Sequence, residues 1–125
     1  LAQAVAPYGL SVRPVPIAGG LHLKSLVTLV KPGLVVVAAG SGDVLLPVLA
    51  EMQQQCLLVD EPEGANVLAL GAVVLVSTAA PRTFARLSAL PGLRPIAVEV
   101  SEFHRADGAL TCLSLRLPPP GNWCA

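Results

Sequence analysis

The sequence predicts an α/β (α+β) fold built from a strand–strand–helix–strand unit that occurs twice. Hydrophobic residues make up 54% of the 125 residues and charged residues only 13%, which excludes intrinsic disorder, since disorder requires low hydrophobicity and high charge. Short apolar runs alternate with amphipathic helical segments in the same order in both units. A repeat of this size is typical of a propeller-like or stacked array rather than of a doubly wound sheet.

The first unit begins with an apolar, β-branched run that ends at the turn Pro32-Gly33. A Val-rich run follows and predicts a buried strand. The next segment has helical periodicity, with apolar residues at Val44, Leu45, Val48, Leu49 and Met52. The predicted elements are strand Ser25–Val30, strand Leu34–Ala38, helix Asp43–Gln54 and strand Cys56–Val59.

The second unit repeats this order after Gly71 divides two apolar runs of strand length. Pro81 marks the first turn of its helix, where the missing N–H costs nothing, and Phe84, Leu87 and Leu90 give that helix an apolar stripe. The predicted elements are strands Asn66–Leu70 and Ala72–Val76, helix Pro81–Leu90 and strand Arg94–Val98. The offset from Leu34 to Ala72, between second strands, equals the offset from Asp43 to Pro81, between helices.

The uncharged stretch Gly64–Pro81 raises the question of a membrane span, because its length is just at the lower limit for a spanning helix. Gly71 interrupts the stretch, and polar residues such as Asn66 and Ser77 lie within it. We therefore interpret it as a buried hairpin and expect no membrane as a partner.

Two flanking segments complete the predicted organisation. We expect Leu10–Val15 to be the last strand of a preceding unit and Leu110–Leu117 to be a strand after the loop Val100–Gly108. The Pro-rich tail 118–125 cannot continue a strand. Because an array that starts within a unit leaves an apolar edge, and the chain starts at Leu1 rather than Met, we expect residues 1–125 to be the C-terminal part of a single domain.

The charge balance argues against nucleic acid as a partner. Eight Lys and Arg residues oppose eight Asp and Glu residues, whereas phosphate binding needs a clustered basic surface. One Trp, one Tyr and two Phe also leave little for stacking on bases. With no secretory signal pattern and three cysteines, we expect a reducing, cytoplasmic compartment.

His22 is the first candidate for chemistry, because two glycines precede it in Gly19-Gly20-Leu21-His22-Leu23-Lys24-Ser25. A strand beginning here would place His22 and Lys24 on one face. An imidazole titrates near neutral pH and can act as a general acid or base. The alternative is an ordinary satisfied or exposed histidine, which is the commoner role of a lone His.

Cys112 is the second candidate and follows an Asp107-Gly108 turn signal. A thiolate is a strong nucleophile when a basic neighbour activates it, and His22 and His104 are the two imidazoles of the sequence. The alternative is a small buried hydrophobic residue.

The other candidate residues have simpler interpretations. We expect Cys56 to be buried in a core strand, Cys124 to be an exposed thiol of the tail and His104 to be a solvated residue of a loop or helix turn. No Cys or His pair has metal-ligand spacing, so no metal site is expected. Gly40-Ser41-Gly42 lacks the remaining residues of a phosphate loop, and Ser41 is better explained as a helix N-cap.

Two of these segments resemble the motifs of a known family. The segment Gly20-Leu21-His22-Leu23-Lys24-Ser25 resembles the histidine motif of the dimethylarginine dimethylaminohydrolases. The segment Ser101–Phe103, followed by Asp107-Gly108 and Leu110–Ser114, resembles their cysteine motif. The order and separation of the motifs are similar too, and the ββαβ repeat is similar to the guanidine-modifying, or pentein, superfamily. In that superfamily five such units form an α/β propeller.

The resemblance implies a hydrolase of N-methylated arginine that needs no cofactor. Cys112 would attack the guanidinium carbon, and His22 would protonate the departing methylamine or dimethylamine and then activate water, releasing citrulline. The backbone carbonyl of Ala106 would accept a hydrogen bond from the substrate α-amino group. Family members supply the carboxylates around the guanidinium mainly from an N-terminal half that is absent here, which makes that half an expected partner beside a possible homodimer.

Two alternatives stay open at this point. An arginine deiminase would have the same fold and chemistry, but deiminase-like sequences place an aspartate two residues after the histidine, where this sequence has Lys24. A non-catalytic pentein-like domain that acts by association is the alternative from a different class.

Overall fold

Two three-stranded sheets, one for each predicted unit, form the frame of the protein. The computed structural model describes residues 1–17 and 22–117. A short helix α1 (Ala2–Val5) comes first. The first unit comprises β1 (Val27–Lys31), β2 (Leu34–Ala38), α2 (Gly42–Glu51) and β3 (Gln55–Val59), and the second comprises β4 (Leu68–Leu70), β5 (Val73–Ser77), α3 (Pro81–Ser88) and β6 (Arg94–Val98), followed by α4 (Ser101–His104).

Both sheets have the same topology, which confirms the α/β class and the repeated unit. In each sheet the first two strands pair antiparallel as a hairpin, and the third pairs parallel with the second after the helical crossover. A parallel pair requires such a long connection. The repeat is slightly longer than the sequence predicts, because β5 begins at Val73 rather than at Ala72. Gly33 and Gly71 close the two hairpins with φ of 81° and 64°, a conformation that glycine adopts without steric cost.

One apolar cluster joins the two units, and a second lies beneath α2. The joining cluster combines Val36 of β2 with Val74 and Val76 of β5 and Leu87 of α3, all completely buried. The second cluster packs Val35 and Val37, on the other face of β2, against α2 through Leu45 and Leu49. Burial on both faces accounts for the continuous Val-rich run of β2. Val44 and Met52, which we expected on the buried face of α2, are exposed.

The β3–β4 connection caps helix α3 through a buried carboxylate. Glu61 accepts hydrogen bonds from the backbone N–H groups of Arg82 and Thr83 at 2.8 and 2.7 Å and from the Thr83 hydroxyl at 2.7 Å. Burial disfavours the charged form of Glu61, but these hydrogen bonds and the nearby Arg82 charge outweigh it, so the pKa of Glu61 is lowered. The carboxylate satisfies free N–H groups at the positive end of the helix.

Ser41 and Pro81 show how far local signals specify helix starts. Pro81 occupies the first turn of α3, as expected. Ser41 lies at the N-cap position of α2 but its side chain makes no capping hydrogen bond there. The capping role expected from the serine hydroxyl is therefore wrong, although the position of the helix start is confirmed.

Both flanking strands predicted from the sequence are wrong. Residues 10–15 form no strand and lie mostly exposed, anchored by an ion pair between Arg13 and Glu51. Residues 110–117 form turns and irregular chain. An apolar run becomes a strand only beside a partner strand, and within residues 1–17 and 22–117 neither segment pairs with one.

The stretch Gly64–Pro81 contains the β4–β5 hairpin, which confirms the interpretation of a buried hairpin. No helix within the described ranges has the length and apolar character needed to cross a membrane. The Pro-rich tail 118–125, with Cys124, lies outside the described residues.

Candidate functional site

The described part of the His22 segment, residues 22–25, is a 3-10 turn and its N-cap rather than the expected strand, and residues 19–21 lie outside the described residues. His22 has an extended backbone (φ −132°, ψ 147°) and precedes the turn Leu23–Ser25, and its carbonyl oxygen accepts a hydrogen bond from the Ser25 N–H at 3.0 Å. The side chain is exposed. Strand β1 begins only at Val27, so the expected alternation of His22 and Lys24 on one strand face does not apply.

The Cys112 segment starts from helix α4 and continues through a tight turn. Asp107 adopts a positive φ of 56°, and the Gly108 N–H donates to the Phe103 carbonyl oxygen at 2.8 Å. A Cβ at position 108 would lie 3.0 Å from that same oxygen, which favours glycine there. The predicted Asp-Gly turn is therefore present, but a run of turns follows it, and Cys112 is exposed. The alternative of a buried Cys112 is wrong.

Glu99 fixes the beginning of the Cys112 segment. It accepts hydrogen bonds from the Thr78 hydroxyl at 2.6 Å and from the Ser101 N–H at 2.7 Å. The Thr78 hydrogen bond and those from Ser101 lower the pKa of Glu99 from its ordinary value of 4.5 to about 2, with a smaller contribution from the His104 charge. Helix α4 is thereby tied to the end of β5 as long as Glu99 is ionised.

Asn66 brings the two candidate segments together. Its Nδ2 donates to the Lys24 carbonyl oxygen at 2.9 Å and to the Thr111 hydroxyl at 2.9 Å, and its Oδ1 accepts from the Thr111 N–H at 3.1 Å. The Lys24 and Thr111 oxygens are therefore held by the same amide nitrogen. Lys24 is two residues from His22, and Thr111 directly precedes Cys112. Segments far apart in the sequence thus meet at one buried side chain.

Two clefts flank this junction. One, of about 330 Å³, is lined by Lys24, Thr111, Ser114 and Arg116 among others, and it carries two cations without a carboxylate. The other, of about 250 Å³, is shallower and has Glu63, Asp107 and His104 beside Ser25 and Gly108. The first cleft does not suit a guanidinium, since binding there would place the positive charge of the guanidinium beside those of Lys24 and Arg116. The second is lined by two carboxylates, those of Glu63 and Asp107.

The structure brings the His22 and Cys112 segments together without joining the two side chains. Within the residues that the structure describes, no hydrogen bond links the His22 imidazole and the Cys112 thiol. The carbonyl oxygen of Ala106 likewise accepts no hydrogen bond there, so it is free to accept one from a ligand. Cys56 is half-buried in β3, and burial raises the pKa of its thiol, as expected for a core thiol rather than a nucleophile.

Sequence reasoning missed two residues of this region. Asn66 was expected only as the start of a strand, and Glu63 was not singled out. The partners of Asn66, and the residues that line the cleft with Glu63, lie far away in the sequence, so no local pattern could have revealed either residue. Among residues 1–17 and 22–117, no group of three His, Cys, Asp or Glu side chains is placed to hold a metal ion.

Comparison with known amino-acid sequences identifies a curated relative. The chain is 38% identical over 118 residues to the N(G),N(G)-dimethylarginine dimethylaminohydrolase of Streptomyces coelicolor, a match that covers 94% of this chain and 43% of the relative. The chain thus spans less than half the length of the curated relative that it matches. No family model matches the chain.

Solved structures confirm the pentein fold. A dimethylarginine dimethylaminohydrolase from Pseudomonas aeruginosa, a cysteine-to-serine mutant complexed with citrulline, matches with a TM-score of 0.79 at 24% identity, over 93% of this chain and 44% of that one. A dimethylarginine dimethylaminohydrolase adduct with 4-chloro-2-hydroxymethylpyridine matches with a TM-score of 0.78 at 26% identity, over 93% and 46%. An amidinotransferase from Microseira wollei shares the fold, with a TM-score of 0.66 at 20% identity over 85% and 34%.

Proposed function

We propose that this chain belongs to the dimethylarginine dimethylaminohydrolase family and that the protein containing it hydrolyses N-methylated arginines to citrulline and methylamine or dimethylamine. The single observation that carries the proposal is the meeting of the two motif segments at Asn66, within 2.9 Å of both Lys24 and Thr111. The relationship to a curated relative over 94% of the chain supports the choice of reaction.

In the first step, the Cys112 thiolate attacks the guanidinium carbon. A sulfur–carbon bond forms, and the bond from that carbon to the methylated nitrogen breaks. His22 donates a proton to that nitrogen, so the amine leaves neutral. A guanidinium is a poor electrophile, and a covalent thiouronium intermediate divides its hydrolysis into two lower barriers.

In the second step, His22 takes a proton from water as the water oxygen attacks the same carbon. The carbon–oxygen bond forms and the carbon–sulfur bond breaks, which releases citrulline and restores the Cys112 thiolate, while the second proton of the water passes through solvent to the departed amine. His22 thus acts first as a general acid and then as a general base. Both side chains are exposed and are therefore accessible to a substrate.

Substrate binding needs groups at both ends of the amino acid. We assign the free carbonyl oxygen of Ala106 to the substrate α-amino group. The shallower cleft offers two carboxylates, those of Glu63 and Asp107. We infer that further carboxylates for the guanidinium come from the N-terminal half of the complete protein, because the larger cleft offers only cations.

The compartment and the assembly are part of the proposal. Cys56 and Cys112 are both free thiols, which suits a reducing cytoplasm. Exposed apolar side chains near the start of the chain, among them Leu1, Tyr8 and Leu10, offer a surface for the N-terminal half or for a second copy in a homodimer.

The test is citrulline formation from dimethylarginine by the complete protein that contains these residues. We expect Cys112→Ser to abolish turnover, because serine forms no comparable anion near neutral pH. His22→Ala should lose about 10²–10⁴-fold in rate, the usual contribution of general acid–base catalysis. Cys56→Ser is the matched control and should keep its activity while losing some stability.

Each alternative has its own outcome. Turnover retained in Cys112→Ser would contradict the covalent mechanism. Release of ammonia from unmethylated arginine, with dimethylarginine untouched, would favour an arginine deiminase. A well-folded complete protein that acts on neither compound would favour the non-catalytic association domain.

A further inference from the structure

We propose that Asn66 is a positioning residue that sets the His22 segment against the Cys112 segment, an inference that rests on the proposed function. Asn66 acts through its neighbours: its contacts are to Lys24, two residues after the histidine, and to Thr111, one residue before the cysteine. It is only 6% exposed, so solvent does not compete for these hydrogen bonds.

The bonding pattern requires an asparagine. One end of the side chain must donate to the Lys24 carbonyl and to the Thr111 hydroxyl, and its other end must accept from the Thr111 N–H. The –NH₂ group and the oxygen of a primary amide meet both requirements. Aspartate supplies no donor and leucine supplies neither. The Lys24 carbonyl oxygen accepts its hydrogen bond from Nδ2, and replacing the amide removes that bond.

Residues 22–25 and residues 110–113 do not belong to a β-strand. His22 precedes a 3-10 turn, and residues 110–113 form turns, so no sheet ladder fixes their relative position. A side chain that reaches both is then the direct link between them. Reacting groups displaced by about 1 Å can lose 10²-fold in rate.

Asn66 is itself held firmly by its neighbours in the chain. Ala65 and Val67 on either side are 0% and 1% exposed. The Thr28 hydroxyl donates to the Ala65 carbonyl oxygen at 2.6 Å and accepts from the Val67 N–H at 3.2 Å. The junction is therefore anchored to β1 independently of the contacts that Asn66 makes.

Thr83 provides a matched control that lies away from the junction. Asn66→Ala and Thr83→Val each remove buried side-chain hydrogen bonds, but the Thr83 hydroxyl bonds only Glu61 at the start of α3, whereas Asn66 reaches the two motif segments. In the complete protein we expect Asn66→Ala to lower kcat by about 10²-fold with KM within a few-fold of the wild type. Thr83→Val should keep kcat within a few-fold even where urea unfolding shows a comparable loss of stability.

Asn66→Asp separates the two sides of the junction. Its carboxylate can still accept from the Thr111 N–H, and the Thr111 hydroxyl can turn to donate to it, but it cannot donate to the Lys24 carbonyl. Amide hydrogen exchange at Thr111 should stay slow in Asn66→Asp and become fast in Asn66→Ala. The value of kcat should fall in both variants, because the histidine side is released in both.

The two proposals fail in different ways. If the wild-type protein forms no citrulline, the proposed function fails, while exchange at Thr111 still decides whether Asn66 holds the cysteine segment. A wild-type kcat in Asn66→Ala or Asn66→Asp would overturn the positioning role. Equal losses of kcat in Asn66→Ala and Thr83→Val would overturn it as well, since the effect would then be one of stability alone.

Discussion

At the scale of single residues, a few buried or ionised polar side chains hold the segments that carry the candidate chemistry. Asn66 joins the His22 and Cys112 segments through Lys24 and Thr111, and Glu99 ties helix α4 to Thr78. The sequence pointed to His22 and Cys112 because their motifs are local. It could not reveal Asn66 or Glu99, whose roles depend on partners that only the fold brings near.

Glu99 predicts an acid-sensitive fold. Its pKa is lowered to about 2 from an ordinary 4.5, so its stabilisation is present above the unfolded value and is lost as the pH falls through the folded one. The pKa of Glu61 is lowered too, which adds in the same direction. We expect the free energy of urea unfolding to decrease between about pH 5 and about pH 2.

The variant Glu99→Gln identifies the group responsible. It should be less stable than the wild type near neutral pH and should show a shallower decrease of unfolding free energy on acidification. An acid dependence identical to that of the wild type would mean that Glu99 does not contribute.

At the scale of elements, an apolar run predicted a strand correctly wherever a neighbouring strand was available. Strands Leu34–Ala38 and Arg94–Val98 have the predicted bounds, since burial and pairing agree there. The runs 10–15 and 110–117 also contain apolar residues but find no partner strand in the described ranges. The His22 segment forms a turn because the β1–β2 ladder starts only at Val27.

The cap of α3 makes Gly64 a critical position. A Cβ added there would lie 2.4 Å from the Thr83 hydroxyl and 3.1 Å from the Glu61 carbonyl oxygen. Gly64→Ala should therefore destabilise the protein by about 1–3 kcal/mol, the usual cost of overpacking, as measured by urea unfolding.

Gly40→Ala is the control for that experiment. A Cβ at Gly40 meets no atom within 4 Å, so its effect should be small. Equal effects of the two substitutions would show that backbone freedom, rather than the tight contact with the α3 cap, determines the cost.

At the scale of the whole molecule, two ββαβ units share one apolar cluster and leave apolar side chains at the surface. Leu1, Tyr8 and Leu10 are 87%, 79% and 61% exposed, in the region where the sequence predicted an open edge. The repeated unit followed from periodicity, since each unit is locally encoded. No local pattern in the sequence predicts which partner surface these side chains fit.

We expect the 125 residues alone to be inactive and to self-associate. The larger cleft holds cations rather than the carboxylates that a guanidinium requires, and contiguous exposed apolar surface promotes association. Light scattering over a range of concentrations, together with a citrulline assay, checks both points. A chain that stays monomeric at high concentration and turns over dimethylarginine would contradict them.

Detection of the covalent intermediate tests most directly whether Cys112 is the nucleophile of a methylarginine hydrolase. The complete protein is mixed with dimethylarginine, quenched with acid during turnover, digested and analysed by mass spectrometry. We expect the peptide containing Cys112 to gain the mass of the substrate less that of dimethylamine. The gain should be absent in Cys112→Ser. It should be enriched in His22→Ala where that substitution slows the second step more than the first. Citrulline formation with an unmodified Cys112 peptide at every quench time, and at an undiminished rate in Cys112→Ser, would contradict this role of Cys112.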